Sequence, residues 1–354
     1  MDTNQPLDLP ESFDPEMNMP ATETDQGRFH VTRAAAGLAR RLVENGTDTD
    51  LQRAEAILRA VLDCQETREF DPHRGNFTWM AEDDFVADLN AVEFVLAQLI
   101  PMLADHRGRI QRSAPSLLPD LLSAIRAGLD EVARMDVHIG YTNIAIFDIH
   151  NSILGGEFLD EPRYAERGKA KLGVWAEFTA GRGHPLEYNS PTYTPLALRT
   201  LESLAQRVAD PAAKTLAATM AARLALSVAL RLHGPTRRMA GPHGRGYNDA
   251  VRRGSSPREL RLFDDLAAGS YPWLESLAGG ERLPRVVEET ASPEQGYTMT
   301  TLLAPTYSLG TASAPFMGQS NALIAYVGAS ANGGDGTGDA SVFYTRYLTD
   351  ETWY

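Results

Sequence analysis

Cysteine is almost absent from this chain, which contains one, Cys64, among 354 residues. A single thiol cannot form an intramolecular disulfide, and it cannot supply the thiolate ligands of a Cys-rich zinc site. The eight histidines never stand in a His-x-x-x-His or His-Glu-x-x-His pattern, and the chain has no Walker loop. We therefore expect no cofactor, and the sequence leaves only a structural calcium ion open.

Basic residues are outnumbered by acidic ones. The 33 Lys and Arg residues stand against 47 Asp and Glu residues, which gives a formal net charge of −14. Nucleic-acid binding needs a broad basic surface, so we expect no nucleic acid as the main partner. A small anion-binding site inside an acidic protein remains compatible with this charge.

Export and membrane signals are also missing. Residues 1–26 contain neither the basic n-region nor the apolar h-region of a signal peptide. No apolar run reaches the roughly 18 residues that a membrane span needs, so we expect no membrane partner. The compartment stays unknown: the cytoplasm is the default assumption, and secretion by an unseen route is the alternative.

Helical periodicity dominates residues 28–283, after an acidic, Pro-rich leader over 1–27 that we expect to be disordered or loosely packed. Apolar residues recur at helical spacing, and Asn45-Gly46 is a typical helix end. Asp48 or Thr49 can cap the second helix. The pattern predicts helices over about 29–44, 51–62, 85–103, 116–137, 143–154, 161–180, 195–208 and 211–232.

After about residue 283 the pattern changes to short β-type runs divided by Gly, Ser, Pro and Asn. These runs predict an antiparallel β region over 284–354. Either this β domain is small, or the chain is a fragment of a longer protein. The expected strands are 286–287, 297–303, 307–309, 322–327 and 341–347.

Short turns alternate with longer polar loops between the predicted helices, which indicates stacked αα-hairpins. The absence of a fixed-period repeat favours a closed α/α toroid, an incomplete α/α barrel, over a solenoid. We therefore predict a mainly α fold in which this toroid is followed by the antiparallel β region. The longer loops would line a groove at one end of the toroid; they are 71–79, 138–143, 181–193 and 239–248.

The stretch 239–248 breaks a long helical run with three glycines and a proline. Between them stand His243, Arg245 and Tyr247, spaced two apart, so that in an extended segment their side chains face one side. An imidazole, a guanidinium and a phenol facing one space suggest acid–base chemistry on an anion. The alternative is a surface turn whose polar residues face water.

Arginine is concentrated around the same stretch, with Arg238 and several others between residues 231 and 261. A local excess of Arg focuses positive potential on an anionic ligand, and Arg binds carboxylates in a bidentate manner. The alternative is that most of these arginines pair with acids on the surface.

Three further loops carry candidate sugar-binding groups. The block 183–193 offers Tyr188, Asn189 and Tyr193, although Asn189 could instead form an Asx-type turn. Asn143 precedes a strongly apolar helix and could be its N-cap. In the loop 71–79, Asn76 can bind sugar hydroxyls and Trp79 can stack on a sugar ring. Large aromatic residues such as Trp79 also commonly cover the core.

Three blocks recur among these candidates: Glu187-Tyr-Asn-Ser-Pro-Thr-Tyr193, Gly241-Pro-His-Gly-Arg-Gly-Tyr247, and Thr142-Asn143 with Ile153-Leu-Gly-Gly-Glu157. Together they resemble bacterial polysaccharide lyases in which an α/α toroid is followed by a β-sandwich. The likeness covers roughly residues 70–330 and is closest to the lyases that act on alginate or glucuronan. The chain departs from that pattern in its short β part and in lacking an export signal.

The resemblance implies β-elimination on a uronic-acid polysaccharide, so the partner would be an anionic polysaccharide or oligosaccharide. A base removes the C5 proton, an acid protonates the oxygen leaving C4, and polar side chains neutralise the uronate carboxylate. It implies that Tyr247 is the acid, or both acid and base, and that His243 is the base or neutraliser. Asn189 and Arg245 would hold the carboxylate, with Tyr193 in reserve for the tyrosine role.

Two other classes stay open. An α/α-barrel glycoside hydrolase would need two carboxyl groups across the scissile bond, and the available residues are Asp148, Glu157 and Glu187. A non-catalytic carbohydrate-binding protein would bind sugar without turnover. A product assay separates these classes, because only a lyase leaves a double bond that absorbs in the ultraviolet.

Overall fold

The computed structural model describes residues 5–247, 271–274, 283–292, 296–314, 321–328 and 340–345. Over these ranges the chain is mainly α-helical and ends in an antiparallel sheet, which confirms the predicted fold class. The closure of the helices into a toroid stays a prediction. The described α-helices are α1 (Thr32–Asn45), α2 (Asp48–Asp63), α3 (Ala91–Ser113), α4 (Leu117–Met135), α5 (Thr142–Leu159), α6 (Pro162–Arg182), α7 (Tyr193–Arg207) and α8 (Pro211–Arg231).

The ends of the helices follow local hydrogen-bonding chemistry. Gly46 ends α1 in the left-handed region at φ 76°, and its N–H donates to the Leu42 carbonyl at 2.9 Å. Thr47 rather than Asp48 or Thr49 caps α2, because its hydroxyl accepts the Asp50 N–H at 3.2 Å. The predicted cap residues therefore lie inside the first turn.

The N-terminal leader is ordered where the sequence indicated a loose segment. Its strands are β1 (Phe13–Asp14), β2 (Met19–Thr24) and β3 (Gly27–His30), which pair as an antiparallel sheet in that order. Met19 is buried. The prediction of a disordered or loosely packed leader over 1–27 is therefore corrected for these strands. Backbone pairing and an alternating buried face hold them in order. The first helix consequently begins at Thr32, because residues 29–30 belong to β3.

The chain divides into two compact units. The first comprises Met1–Val137 with Phe147–Ala170, and the second comprises His138–Ile146 with Lys171–Tyr354. The first unit contains β1–β3 and α1–α4. The second contains α7, α8 and the described C-terminal strands. The domain boundary predicted after residue 283 adjoins residues outside the described ranges and stays a prediction.

The second unit contains a five-stranded antiparallel sheet that follows a short β-hairpin. In the sheet each strand pairs with the next one along the chain, so the order is β6-β7-β8-β9-β10 from one edge to the other. The strands of this unit are β4 (Leu232–His233), β5 (Arg238–Met239), β6 (Arg285–Ser292), β7 (Tyr297–Leu303), β8 (Tyr307–Ala312), β9 (Leu323–Gly328) and β10 (Ala340–Thr345).

One face of this sheet supports the stretch around Gly241. Thr301, Gly310 and Ile324 are cross-strand neighbours on β7, β8 and β9. The Thr301 hydroxyl donates to the Gly241 carbonyl at 2.7 Å. A Cβ on Gly310 would lie 2.0 Å from the Gly241 carbonyl carbon, and a Cβ on Gly241 would lie 1.9 Å from Ile324. Two glycines therefore permit the close approach of this loop to the sheet.

α8 bears on the expectation that no segment spans a membrane. Among the described helices, α8 alone is long and apolar enough to cross one by length and composition. About 44% of its most apolar window is buried inside the protein, and α8 packs against α7. Core helices meet the same criterion, so this is weak evidence for a span. The absence of a membrane partner stays a prediction.

The contact between Gly310 and Gly241 predicts a difference between two glycine-to-alanine substitutions. Gly310→Ala should lower the free energy of unfolding by about 3 kcal/mol, because the new methyl group overpacks against backbone. Gly173→Ala in α6 meets no atom within 4 Å and should raise it by about 0.5 to 1 kcal/mol through helix propensity. Urea unfolding of both variants measures the two changes in the free energy of unfolding. Equal changes would show that the sheet does not constrain the loop around Gly241.

Candidate active site

Three of the loops predicted to line a groove converge in the second unit, on the carboxyl group of Glu187. This carboxyl group is 1% exposed. The Asn143 backbone N–H donates to it at 2.9 Å. The Asn143 side-chain amide, with its nitrogen toward Glu187, donates to both carboxylate oxygens at 2.9 and 3.2 Å. Arg245 forms an ion pair with the same group through Nη1. Asn143 therefore binds Glu187, and it does not face a ligand directly.

The Arg245 guanidinium connects this buried carboxylate with a cluster of phenols. Its Nη2 donates to the Tyr247 hydroxyl at 3.1 Å. Its central carbon lies 4.5 Å from the ring centroid of Tyr193, 5.4 Å from that of Tyr141 and 5.7 Å from that of Tyr247. Cation–π contacts of this kind hold a guanidinium in one place. The Arg245 charge is thus fixed beside the Tyr247 oxygen.

Burial and pairing act in opposite directions on this ion pair. Burial raises the pKa of Glu187 above its ordinary value, against the opposing effects of Arg245 and the Asn143 N–H. Burial lowers the pKa of Arg245, but the hydrogen bond and charge of Glu187 outweigh it, and that pKa is raised. Arg245 therefore stays charged at every physiological pH.

Two tyrosine hydroxyls meet at the surface of this cluster. The oxygens of Tyr193 and Tyr247 lie 2.6 Å apart, and Tyr247 is 38% exposed. Burial, followed by the hydrogen bond with Tyr247, raises the pKa of Tyr193 above its ordinary value. Tyr193 therefore keeps its proton, and its hydroxyl shares a hydrogen bond with the Tyr247 oxygen, which accepts from Arg245. Tyr247 is the phenol of this pair that a ligand can reach.

His243 lies in a separate, fully buried layer behind this cluster. Its Nδ1 bonds the Asn189 carbonyl at 2.6 Å, and its Nε2 lies 3.1 Å from the Tyr326 hydroxyl. Since a carbonyl only accepts, Nδ1 carries the proton and Nε2 accepts from Tyr326. The Asn189 amide nitrogen donates to the Ala240 and Pro242 carbonyls at 2.7 Å each. Both side chains hold the 240–243 segment in place.

These contacts correct two predicted roles. His243 is 0% exposed and both of its ring nitrogens are occupied, so it cannot act on a substrate in this conformation. Asn189 is 3% exposed and holds main-chain carbonyls, so it does not hold a uronate carboxylate. The alternation expected for an extended segment fails because the chain bends at Gly244 and Arg245. His243 consequently faces the sheet, whereas Arg245 binds Glu187 and Tyr247 lies beside Arg245.

Two other candidates of the second unit are also buried. Tyr188 is packed beside Met299, and its carbonyl accepts the Gly244 N–H at 2.9 Å. Arg238 is 0% exposed, and its guanidinium carbon lies 5.4 Å from the Tyr326 ring. Neither side chain is placed to bind a substrate, which corrects both predictions. The arginines at 252–261, like Asn248 at the end of the predicted loop, lie outside the described residues.

The two candidates of the loop 71–79, Asn76 and Trp79, belong to the first unit and make contacts within it. Asn76 is 0% exposed, and its amide donates to the Leu89 carbonyl and to Glu131. The guanidinium carbon of Arg33 lies 4.5 Å from the centroid of the half-buried Trp79 ring, on one of its faces. The hydroxyl-binding role predicted for Asn76 is therefore corrected, and the stacking role of Trp79 stays a prediction.

Sequence reasoning missed two contributors to the second unit. Tyr141 lies in the loop 138–143, in which only Asn143 was predicted to bind sugar. The phenol two residues before Asn143 was a usable signal. Tyr326 lies on the buried face of β9. A tyrosine at an inward strand position usually needs a hydrogen-bond partner, and this could have indicated a buried polar group such as His243.

The described residues contain no cluster of three or more His, Cys, Asp or Glu side chains placed to hold a metal ion. Comparison with protein families gave one match: the model of a domain of unknown function, DUF8769, matches residues 8–264. Searches of curated proteins and of solved structures gave no match.

The buried imidazole of His243 predicts a pH-dependent loss of stability. Burial lowers the pKa of His243 from 6.5 to about 4. The unfolded chain therefore binds a proton that the folded chain excludes as the pH falls from about 6.5 to about 4, and stability falls with it. For a group this buried, the loss is roughly 3 kcal/mol. Urea unfolding should show a shallower pH dependence for His243→Gln than for the wild-type protein.

The exposed His138 supplies the matched control. His138→Gln makes the same chemical change at an exposed position, so the difference between the two variants isolates the effect of the buried imidazole. If His243→Gln has the same pH dependence as the wild-type protein, the imidazole of His243 is already protonated in the folded protein, and its assigned hydrogen bonds are wrong.

Proposed function

We propose that this chain, which belongs to the DUF8769 family of unknown function, is a lyase that cleaves a uronic-acid polysaccharide by β-elimination. The three sequence blocks that resemble alginate and glucuronan lyases suggest the reaction class. One structural observation carries the proposal: an exposed phenol, Tyr247, accepts a hydrogen bond from a guanidinium and shares another with a second phenol.

In the proposed reaction Tyr247 first loses its phenol proton to solvent, and the resulting phenolate then removes the C5 proton of the uronate. The electron pair of the C5–H bond forms the C4–C5 double bond, and the C4–O bond breaks toward the leaving sugar. The proton that Tyr247 has taken then passes to the leaving oxygen, so one group serves as base and then as acid. The two donors on the Tyr247 oxygen, Arg245 and Tyr193, stabilise its deprotonated form during the transfer.

Arg245 has a second role in this scheme. Proton removal next to a carboxylate builds negative charge on that carboxylate, and a fixed positive charge beside it lowers the barrier. The ion pair with Glu187 and the contacts with Tyr141 and Tyr193 hold Arg245 in position before substrate binds. His243 and Asn189 would act as positioning residues, because they anchor the segment that leads to Arg245 and Tyr247.

The hydrolase alternative receives less support. Glu187 is buried and paired with Arg245. Asp148 is 0% exposed and is paired with Arg167. A glycoside hydrolase needs one carboxyl group that protonates the leaving oxygen and another that faces the sugar. Carboxyl groups that are buried and already bound to a guanidinium do not suit either task. Glu157 on α5 is half-buried, but one such group does not supply the required pair.

Tyr247→Phe tests the proposal. The variant keeps the ring but loses the proton-carrying oxygen, so kcat should fall by about 10² to 10⁴. The assay follows ultraviolet absorbance of the unsaturated uronate released from polymannuronate, polyguluronate or glucuronan. Tyr307→Phe, an exposed tyrosine on β8, is the control and should retain full activity. Absence of unsaturated product from all three polymers, or full activity of Tyr247→Phe, would refute the proposal.

Tyr193→Phe separates the two tyrosines. It removes one donor to the Tyr247 oxygen, and a hydrogen bond to a charged group contributes about 1.5 to 3 kcal/mol. We expect kcat to fall by about 10- to 100-fold, with KM nearly unchanged. A larger loss in Tyr193→Phe than in Tyr247→Phe would mean that Tyr193 exchanges the proton.

A further inference from the structure

The first unit contains a cleft that plays no part in the proposed reaction. It has a volume of about 820 Å³, within the range of small-molecule sites. One loop, the start of α3 and the end of α4 surround it. We call it the His73 cleft; its lining residues are Pro72, His73, Ala87, Asp88, Leu89, Asn90, Arg134, Met135 and Val137.

A buried carboxyl group orients two polar side chains at the rim of this cleft. Glu131 on α4 is 0% exposed. One of its oxygens lies 3.1 Å from His73 Nδ1 and 3.2 Å from the Asn76 amide nitrogen, and the other forms an ion pair with Arg134. The His73 side chain is itself 32% exposed. Because a carboxylate only accepts, Nδ1 donates to Glu131, and Nε2 is the ring nitrogen that is left for a ligand.

Other hydrogen bonds also hold the rim of the cleft in place. The Asp88 carboxylate accepts the Asn90 backbone N–H at 2.9 Å and the Asn90 amide at 2.8 Å. The His73 backbone N–H donates to Asp71 at 2.8 Å. Rim groups that are fixed before binding lose little conformational entropy when a ligand arrives.

The charges and hydrogen-bonding groups of the cleft define its ligand. Asp88 on the rim and Glu131 behind it carry two negative charges, against the one positive charge of Arg134, which is paired with Glu131. A carboxylate or phosphate would therefore meet no net positive charge. The rim presents acceptors on Asp88 and His73 and donors on Arg134, so the ligand must offer both donors and acceptors.

The apolar part of the lining narrows the class further. Ala87, Leu89 and Met135 have aliphatic side chains, which can pack against the C–H groups of a pyranose ring. None of the nine described lining residues carries a phenyl, phenol or indole ring. A nucleobase is usually bound by stacking on such a ring, so the lining disfavours it.

We propose that the His73 cleft binds a short neutral oligosaccharide, with His73 as a central polar contact and Glu131 as the residue that positions it. This site is independent of the proposed lyase reaction. It requires neither turnover nor an anionic sugar.

Calorimetric titration of the full chain with cellotetraose, maltotetraose and mannotetraose tests the proposal. At least one neutral tetrasaccharide should bind. Ala87→Trp should fill the cleft from an exposed position and weaken that binding by 10-fold or more, and His73→Ala should also weaken it. Ala34→Trp, at an exposed position on α1, is the matched control and should bind like the wild-type protein. Failure of all three sugars to bind, or binding that survives Ala87→Trp, overturns the site.

Two further measurements test the ligand class and the role of Glu131. A uronate tetrasaccharide or adenosine that binds this cleft more tightly than every neutral sugar would overturn the assigned class. Nitrogen-15 NMR of the His73 ring should show the Nδ1–H tautomer in the wild-type protein and a shift toward the other tautomer in Glu131→Gln. An unchanged tautomer in that variant would show that Glu131 does not position the ring.

Discussion

The carboxyl group of Glu187 is the constraint on which the second unit's site depends. A buried carboxylate is costly unless hydrogen bonds and a counter-charge compensate its lost hydration. Asn143 supplies backbone and side-chain donors from one segment, and Arg245 supplies the counter-charge from another. Because all three must meet for the buried charge to be tolerated, segments distant in sequence are held together at one point.

A second layer makes this arrangement rigid. His243 joins the Asn189 carbonyl to the Tyr326 hydroxyl, and its backbone pairs with Asn321 next to β9. The loop is thus fixed to the sheet at its first half and to the ion pair at its second half. Rigidity comes from the buried layer, and the exposed phenol of Tyr247 extends from it. A site held in this way loses little entropy on binding.

The first unit uses the same device with different residues. Glu131 is as buried as Glu187, and it too accepts hydrogen bonds from several donors. In both units a buried acid fixes side chains whose outer atoms are exposed: Arg245 and Tyr247 in one, and His73 and Arg134 in the other. Low local dielectric strengthens each of these bonds, so the exposed groups have few alternative positions.

The sequence by itself determined the order of the eight described α-helices and of the described strands after residue 283, although it missed β1–β5. Periods of 3.6 and 2 depend on local backbone geometry, and the predicted runs over 161–180, 211–232 and 297–303 correspond closely to α6, α8 and β7. It also pointed to Arg245 and Tyr247, because glycine-rich loops that carry polar side chains are common places for binding groups.

Only the tertiary structure decided which of the polar residues are exposed. His243, Asn189 and Arg238 look as suitable for a site as Tyr247 when the sequence is read alone. The bend at Gly244 separates His243 from Tyr247, while Asn189 and Arg238 are buried by packing against segments far away in the chain. Side-chain direction after a bend has no local period, and for this physical reason local pattern could not assign it.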